Sequence, residues 1–582
     1  MKTRSMYKAE RLSVDRISTL PQPILETIIS LLPTEEAART SILSREWRYK
    51  WTTIPKLRFT LRNTTSELTS DIASTRKKMD MNDLHQVLLL RQGPIHELSL
   101  SMQDYWERYD CFEFDQIILH LSRNHAIKKL TLNGLRSEDI WFKLPISVFS
   151  LHHLTDLYLC EFDLDHPPTF DGFGSLGSLY LKDVKISTKS LLHLLSNCPS
   201  LKSLDIGELD DKCTTNELLK CLPVIEHLTI STRYFKWLVL DPVPQELPTS
   251  LSHLKYLRLE GMCIDEDYRL AFHILIKCSP NLERFELEVD NIQQILLLRQ
   301  GPIYELTLQL PVNEDAGLEL DPIVSHLSRN HMVKKLKLYR WDALCGYGGP
   351  ISIFSFHHLR DLDISDAELY HPPIFNGFAS LESLSLRDVV IPKKTLLHLL
   401  LNCPSLKSFC LHVLSYDKCT INELLECLPV IEHLNTSTHI SEWVVLNSVP
   451  QEHPTSLNHL RYLCFKDTFV EHCGLAYLLV FIKCSPNLEI IKLESDWGHC
   501  YEDYSFEWEE YSDVWLEHLH ELDFDCFNNL KPEMDFVKFI LARSPKLKKV
   551  SILSDVGKSQ NPEILKTLLQ APHVSQVVIT VN

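Results

Sequence analysis

The spacing of the leucines is what most limits the folds open to this chain. An apolar residue, two others, Leu, one other and Leu recur nineteen times, from Ile95 (IHELSL) through Leu154 (LTDLYL), Leu201 (LKSLDI), Leu359 (LRDLDI) and Leu547 (LKKVSI) to Val574 (VSQVVI). The average return is about 27 residues. Two-residue alternation is the period of a strand with one buried face. A unit of that length cannot bury its face alone, so neighbouring units must stack into one continuous core. Segments such as KSLLHLLSNCP (Lys189 to Pro199) supply helical returns between the strands.

That pattern and period define leucine-rich repeats. The expected fold is α/β: a horseshoe solenoid with short parallel strands on the concave face and helices outside. A larger repeat lies on top. LLLRQGPI at Leu88 returns at Leu296, NCPSLKS at Asn197 returns at Asn402, and CLPVIEHL at Cys221 returns at Cys427. About 206 residues are therefore duplicated in tandem, as 84–290 and 291–496. The short spacing from Leu282 to Ile303 has no linker composition and predicts one continuous solenoid. Residues 61–83 read as a polar linker, partly helical. Residues 497–582 read as an acidic, aromatic loop followed by the last repeats.

Net charge is −18, with 59 Lys and Arg against 77 Asp and Glu. Phosphate binding needs clustered basic residues, so nucleic acid is not the expected partner. No run of about 18 apolar residues is present, so no membrane span is expected. Seventeen cysteines without an N-terminal apolar signal segment predict free thiols in the nucleus or cytoplasm. Their recurrence in NCPSL (Cys198, Cys403) and KCSPNLE (Cys278, Cys484) predicts small buried turn residues.

The N-terminal stretch is different. Pro23 suits the opening turn of a helix carrying Ile24, Leu25, Ile28, Ile29, Leu31 and Leu32 at helical spacing. Pro33 ends it, Thr34 is placed to cap the next helix, and Ala37, Ala38 and Ser41 keep that helix thin. Trp47 and Trp51, four apart, predict a third helix. So small a bundle carries more apolar surface than it can hide, which marks a docking module rather than only an N-terminal helical cap. Asp15, Arg16, Ile17, Ser18, Leu20, Pro21, Leu25, Ile28, Ser30, Leu32, Pro33, Ala37, Arg39, Thr40, Ser41, Leu43, Ser44, Trp47, Arg48 and Trp51 follow a recognisable frame. Residues 14–60 resemble the F-box of plant F-box proteins that carry leucine-rich repeats and a C-terminal FBD segment, which the tail also resembles. The resemblance implies docking onto the small adaptor of the SCF ubiquitin ligase, and through it onto cullin and RING subunits. The expected adaptor face is Leu20, Pro21, Ile24, Leu25, Ile28, Leu32, Pro33, Ala37, Ser41, Ser44, Trp47 and Trp51.

Catalytic signals are missing. GFGSLG (Gly172 to Gly177) fits G-x-G-x-x-G but leads into a strand, and its duplicate reads GFASLE, so it is read as a turn. There is no CxxC, HExxH or GxSxG. His120 and His125 are five apart, off helical ligand spacing. No cofactor or metal is expected. The expectation is a non-catalytic substrate receptor, or alternatively an interaction scaffold outside a ligase. Its unidentified target protein would lie on the strand face. The first, second and third outward positions of each strand face that surface. Among them, Tyr158, Tyr180, Tyr256, Arg258 and Arg387 are the expected contacts, since Tyr and Arg anchor protein interfaces.

Overall fold

Each leucine unit folds as one strand, and on either side of Leu282 consecutive strands pair in parallel. The structure, a computed structural model, describes residues 20–32, 34–45, 47–61, 81–102, 111–134, 141–164, 170–207, 213–231, 238–239, 251–260, 275–288, 301–310, 316–340, 347–369, 375–415, 417–446, 456–466, 474–494, 506, 508–554 and 561–581. Pro33, the frame residues Asp15 to Ser18, most of the expected linker and the first half of the acidic stretch lie outside them. The chain divides into two compact units, Met1–Leu282 and Glu283–Asn582.

In the first unit the rungs are β1 (Lys56–Leu61), β2 (Glu97–Met102), β3 (Lys129–Asn133), β4 (Asp156–Cys160), β5 (Ser178–Lys182), β6 (Ser203–Ile206), β7 (His227–Ser231) and β8 (Tyr256–Glu260). Each pairs in register with the next. In the second unit they are β9 (Arg284–Glu288), β10 (Glu305–Leu310), β11 (Lys335–Arg340), β12 (Asp361–Ser365), β13 (Ser383–Val390) and β14 (Ser408–Leu414). They continue as β15 (His433–Ser437), β16 (Tyr462–Lys466), β17 (Ile490–Glu494), β18 (Glu521–Phe527), β19 (Lys549–Ser554) and β20 (Val578–Val581). This ladder too is parallel throughout. The leucines of the repeat are its core: Leu157, Leu159, Leu179, Leu181, Leu384 and Leu386 are all buried. The residues between them form the other, half-exposed face. Ion pairs run from rung to rung there, including Lys56–Glu97 at 2.7 Å, Lys335–Asp361 at 3.3 Å and Lys549–Glu521 at 2.6 Å. Exposed pairs of this kind contribute about 0–1 kcal/mol each. They set pairing preference more than stability.

Local details recur between the copies. Asp115 accepts the backbone N–H of Ser147 at 2.8 Å, and Asp321 accepts that of Ser352 at 2.8 Å. Thr214 with Glu217 and Thr420 with Glu423 build the same capping box on two helices. Cys198, Cys278, Cys403 and Cys484 are buried, and burial pushes the thiols of Cys403 and Cys484 up to about 11. These are apolar packing groups rather than nucleophiles.

Two rungs correct the sequence reading. The ladder starts one unit before Ile95, because Ile54, Leu57 and Phe59 are buried and β1 pairs with β2. At the far end, β20 sets Ile579 beside Val550, so the last register is shifted by two residues from the reading that begins at Val574. A slip of two keeps the same face of the strand, and the run VVITV satisfies either setting. Val574 and Val578 are both exposed.

The described part of the acidic, aromatic stretch is anchored rather than a solvated loop. The Trp508 ring lies 5.1 Å from that of Phe539, and Tyr511, Val514 and Leu516 are buried. Nearby, the buried Glu533 carboxylate accepts backbone N–H groups of Asn528 at 3.0 Å and Leu530 at 2.9 Å, at the start of helix Lys531–Arg543. Leaving those donors unpaired costs about 1–3 kcal/mol. Glu533→Ala is therefore expected to lower the denaturant midpoint of the C-terminal unit, with Glu533→Gln intermediate. Equal midpoints for all three proteins would refute the assignment.

Candidate interaction surfaces

The N-terminal bundle is built on helix α1 (Gln22–Ser30), which begins after Pro21 with Pro23 in its first turn. Its length holds two apolar stripes. Leu25 and Ile29, one turn apart, are buried, whereas Ile24, Ile28, Leu31 and Leu32 are exposed. Helix α2 (Thr34–Arg39) packs beside it with Ala37 fully buried. Thr34 does more than start α2: its hydroxyl accepts the N–H of Arg58 in β1 at 2.8 Å.

Among the described residues the expected third α-helix is absent. Trp47 lies in a turn, and Trp51 in a 3₁₀ turn spanning Lys50–Thr53. Backbone bonds here run i to i−3, as from Lys50 to Trp47 at 3.2 Å and Thr52 to Tyr49 at 3.0 Å, and hydroxyls add to them. Ser41 donates to the carbonyl of Arg48 at 3.0 Å, Thr52 to Tyr49 at 2.6 Å and Thr53 to Lys50 at 3.0 Å, while Ser44 accepts the N–H of Trp47 at 3.4 Å. Such side-chain bonds compete with the helical ladder. Both tryptophans are nevertheless buried.

The expected adaptor face therefore separates. Leu25, Ala37, Trp47 and Trp51 form the bundle's core, and Ser41 and Ser44 brace its turns. Pro21, Ile24, Ile28 and Leu32 are exposed and Leu20 is half-exposed. Apolar residues outside the predicted set are more exposed still: Ile42 at 88%, Leu31 at 77%, Leu43 at 66% and Tyr49 at 59%. The signal for Ile42 and Leu43 was an adjacent apolar pair in a short segment just past α2.

The bundle is fused to the ladder. The Arg91 guanidinium donates to the carbonyl of Trp51 at 2.7 Å and to that of Ile54. The N–H groups of Gln92 and Gly93 reach the carbonyl of Thr52 at 3.1 and 3.2 Å. A Cβ on Gly93 would lie 2.7 Å from the carbonyl oxygen of Thr53, so only glycine permits this approach.

On the strand face of the first unit, Tyr158, Tyr180 and Asp205 are register neighbours on β4, β5 and β6. The two tyrosine rings lie 6.0 Å apart. Tyr256 lies against His227 with ring centres 5.8 Å apart, and Arg258 is paired with Glu260 at 2.7 Å. In the second unit Arg387 grips Asp363 through contacts of 2.6 and 2.7 Å. An open depression of about 380 Å³ lies beside that pair, where Lys335 and Lys337 alternate with Asp361 and Asp363.

The residues weighed for chemistry have structural roles. Gly172 has φ +98°, and a Cβ there would fall on the carbonyl oxygen of Asn197; Gly174 has open space around it. His125 accepts the N–H of Ile95 at 3.3 Å, and burial lowers its pKa. Among the described residues no group of three or more His, Cys, Asp or Glu could hold a metal, and no helix is long and apolar enough to cross a membrane.

Parallel ladders with one rung per leucine unit, preceded by a small helical bundle with exposed apolar residues, define a leucine-rich-repeat protein with an N-terminal helical module. Comparison with known families agrees. Residues 17–59 match the F-box domain, and residues 116–222 and 320–447 match the repeats described as FBD-associated F-box protein At5g56370, LRR repeats. The F-box/FBD/LRR-repeat protein At1g13570 of Arabidopsis thaliana is 31% identical over 340 residues, covering 50% of this chain and 79% of its own. The F-box/FBD/LRR-repeat protein At2g04230 of the same plant is 34% identical over 228 residues, covering 38% of this chain and 49% of its own. The chain belongs to the F-box/FBD/LRR-repeat family.

Proposed function

We propose that this chain is the target-recognition subunit of an SCF-type, cullin-RING ubiquitin-protein ligase. The observation that carries this reading is the exposed apolar stripe of Ile24, Ile28, Leu31, Leu32, Ile42 and Leu43 within the segment that matches an F-box domain. An excess of exposed apolar side chains on so small a bundle marks a partner interface. The stripe docks on the small adaptor, which brings cullin and RING subunits. The leucine-rich ladder holds the target. Ubiquitin transfer to the target then follows from proximity, since holding two reactants together raises their effective concentration. The chain itself contributes no bond chemistry.

The test is purification of the tagged full chain co-expressed with adaptor, cullin and RING subunits. All three are expected to co-elute with it in one complex. Failure of the adaptor to bind would leave an interaction scaffold that acts outside a ligase.

A further inference from the structure

The tandem copies allow one strand face to be compared with itself. The outward residues form three columns running across the rungs. In the first column, the seven rungs from Glu97 on β2 to Tyr256 on β8 carry the same residues as their counterparts from Glu305 on β10 to Tyr462 on β16. In the second column all seven differ. Tyr158, Tyr180 and Asp205 stand where the second copy has Asp363, Ser385 and Cys410.

The first column carries rung-to-rung contacts common to both copies: Lys129–Asp156 at 3.8 Å and Lys335–Asp361 at 3.3 Å, and ring pairs His227–Tyr256 at 5.8 Å and His433–Tyr462 at 5.7 Å. Those contacts account for its charged and aromatic members. The second column carries different chemistry in each copy on the same backbone. In the second unit its carboxylate, Asp363, is closed off by Arg387 at 2.6 Å, with Lys337 at 3.9 Å. In the first unit the acid has moved to Asp205, beside a pair of half-exposed tyrosines, and Asp205 has no ion pair among the described residues.

We propose that Tyr158, Tyr180 and Asp205 form a site for an arginine or lysine side chain on an extended segment of the target protein. The tyrosine faces attract a cation through their quadrupoles, and Asp205 supplies the counter-charge. This deepens the reading of the ladder as the target surface and rests on it. Burial pushes the Asp205 carboxyl up to about 6. The charged groups around it are Glu260, Arg258 and Lys182, and Asp183 lies further along β5's exit. Arg258 is occupied by Glu260 at 2.7 Å, and Lys182 projects from the next outward position along β5, two residues after Tyr180. A bound cation favours ionised Asp205, so binding strengthens as pH rises through about 6.

The test is selection of a displayed library of random decapeptides on the full chain. The best peptide is then remade with citrulline in place of arginine, or norleucine in place of lysine. Basic residues are expected to be enriched at one position. The charged peptide is expected to bind at least about tenfold tighter than its neutral partner at pH 7.5, with that gap shrinking at pH 5. Tyr180→Ser and Asp205→Asn, each with unchanged melting and adaptor capture, are expected to remove most of the gap, and Ser385→Ala to leave it. No enrichment, enrichment of acidic peptides, or equal binding of the charged and neutral peptides overturns the site. Adaptor capture, measured in parallel, reports on the ligase reading separately.

Discussion

Replacing Ile42 and Leu43 together by aspartate is expected to abolish adaptor capture by the full chain while its thermal unfolding stays unchanged. Both side chains stand in solvent, so their removal takes nothing from the core. At a docked interface, large apolar anchors are each worth about 2–4 kcal/mol, and a buried unpaired carboxylate adds a further penalty. Two such changes amount to a loss of at least about a thousandfold in affinity. The contrasting substitution is Leu25→Asp, on the buried stripe of α1, which should lower both stability and capture. Titration calorimetry with purified adaptor decides between them. Wild-type affinity in the Ile42 and Leu43 double variant would move the docking surface off this stripe.

The second large effect is expected at one glycine among three. Gly172→Ala should destabilise the first unit by about 3 kcal/mol or more, because φ of +98° is strained for alanine and its Cβ would meet the Asn197 carbonyl. Gly377, at φ +94° against Asn402, is its equivalent in the second unit. Gly174→Ala should be nearly neutral, as Ala379 already occupies the matching place. Chemical denaturation with hydrogen exchange on helix Thr188–Ser196, which leads into Asn197, would read the difference. Comparable midpoints for the two alanine variants would show that the backbone there relaxes freely. The glycine-rich word thus serves a close approach of two chain segments, and only the glycine at that contact is kept in both copies.

The ladder was legible because a leucine two residues from the next must share its face, whatever lies between them. Its ends were harder to read. Phe59 replaces a leucine in the first rung, which sits inside the stretch claimed by the helical frame. VVITV in the last rung fits two registers equally. The docking bundle was legible as a surplus of apolar residues, but periodicity does not say which of two adjacent stripes on α1 faces inward. Packing against Ala37 and the 3₁₀ turn at Trp51 decides that. Trp47 and Trp51 have helical spacing, but the backbone there bonds i to i−3 in turns, and the Ser41, Thr52 and Thr53 hydroxyls bond to its carbonyls as well. On the strand face, sequence alone could not separate occupied from available side chains. Arg387 is closed off by Asp363, 24 residues earlier in the chain, and Arg258 by its neighbour-but-one Glu260.

Because β1 belongs to the F-box stretch and also pairs with β2, the docking module cannot be deleted without opening a sheet edge. A fragment starting after residue 61 would present the unpaired N–H and C=O groups of Glu97–Met102 to any strand in reach. Domain swapping and edge-to-edge association would follow, and a dominant-negative reagent made by truncation would fail for reasons unrelated to the ligase. On the ligase reading proposed above, an inhibitor that occupies the target yet never reaches the adaptor has to keep the whole bundle and lose only the charge-neutral skin of Ile42 and Leu43.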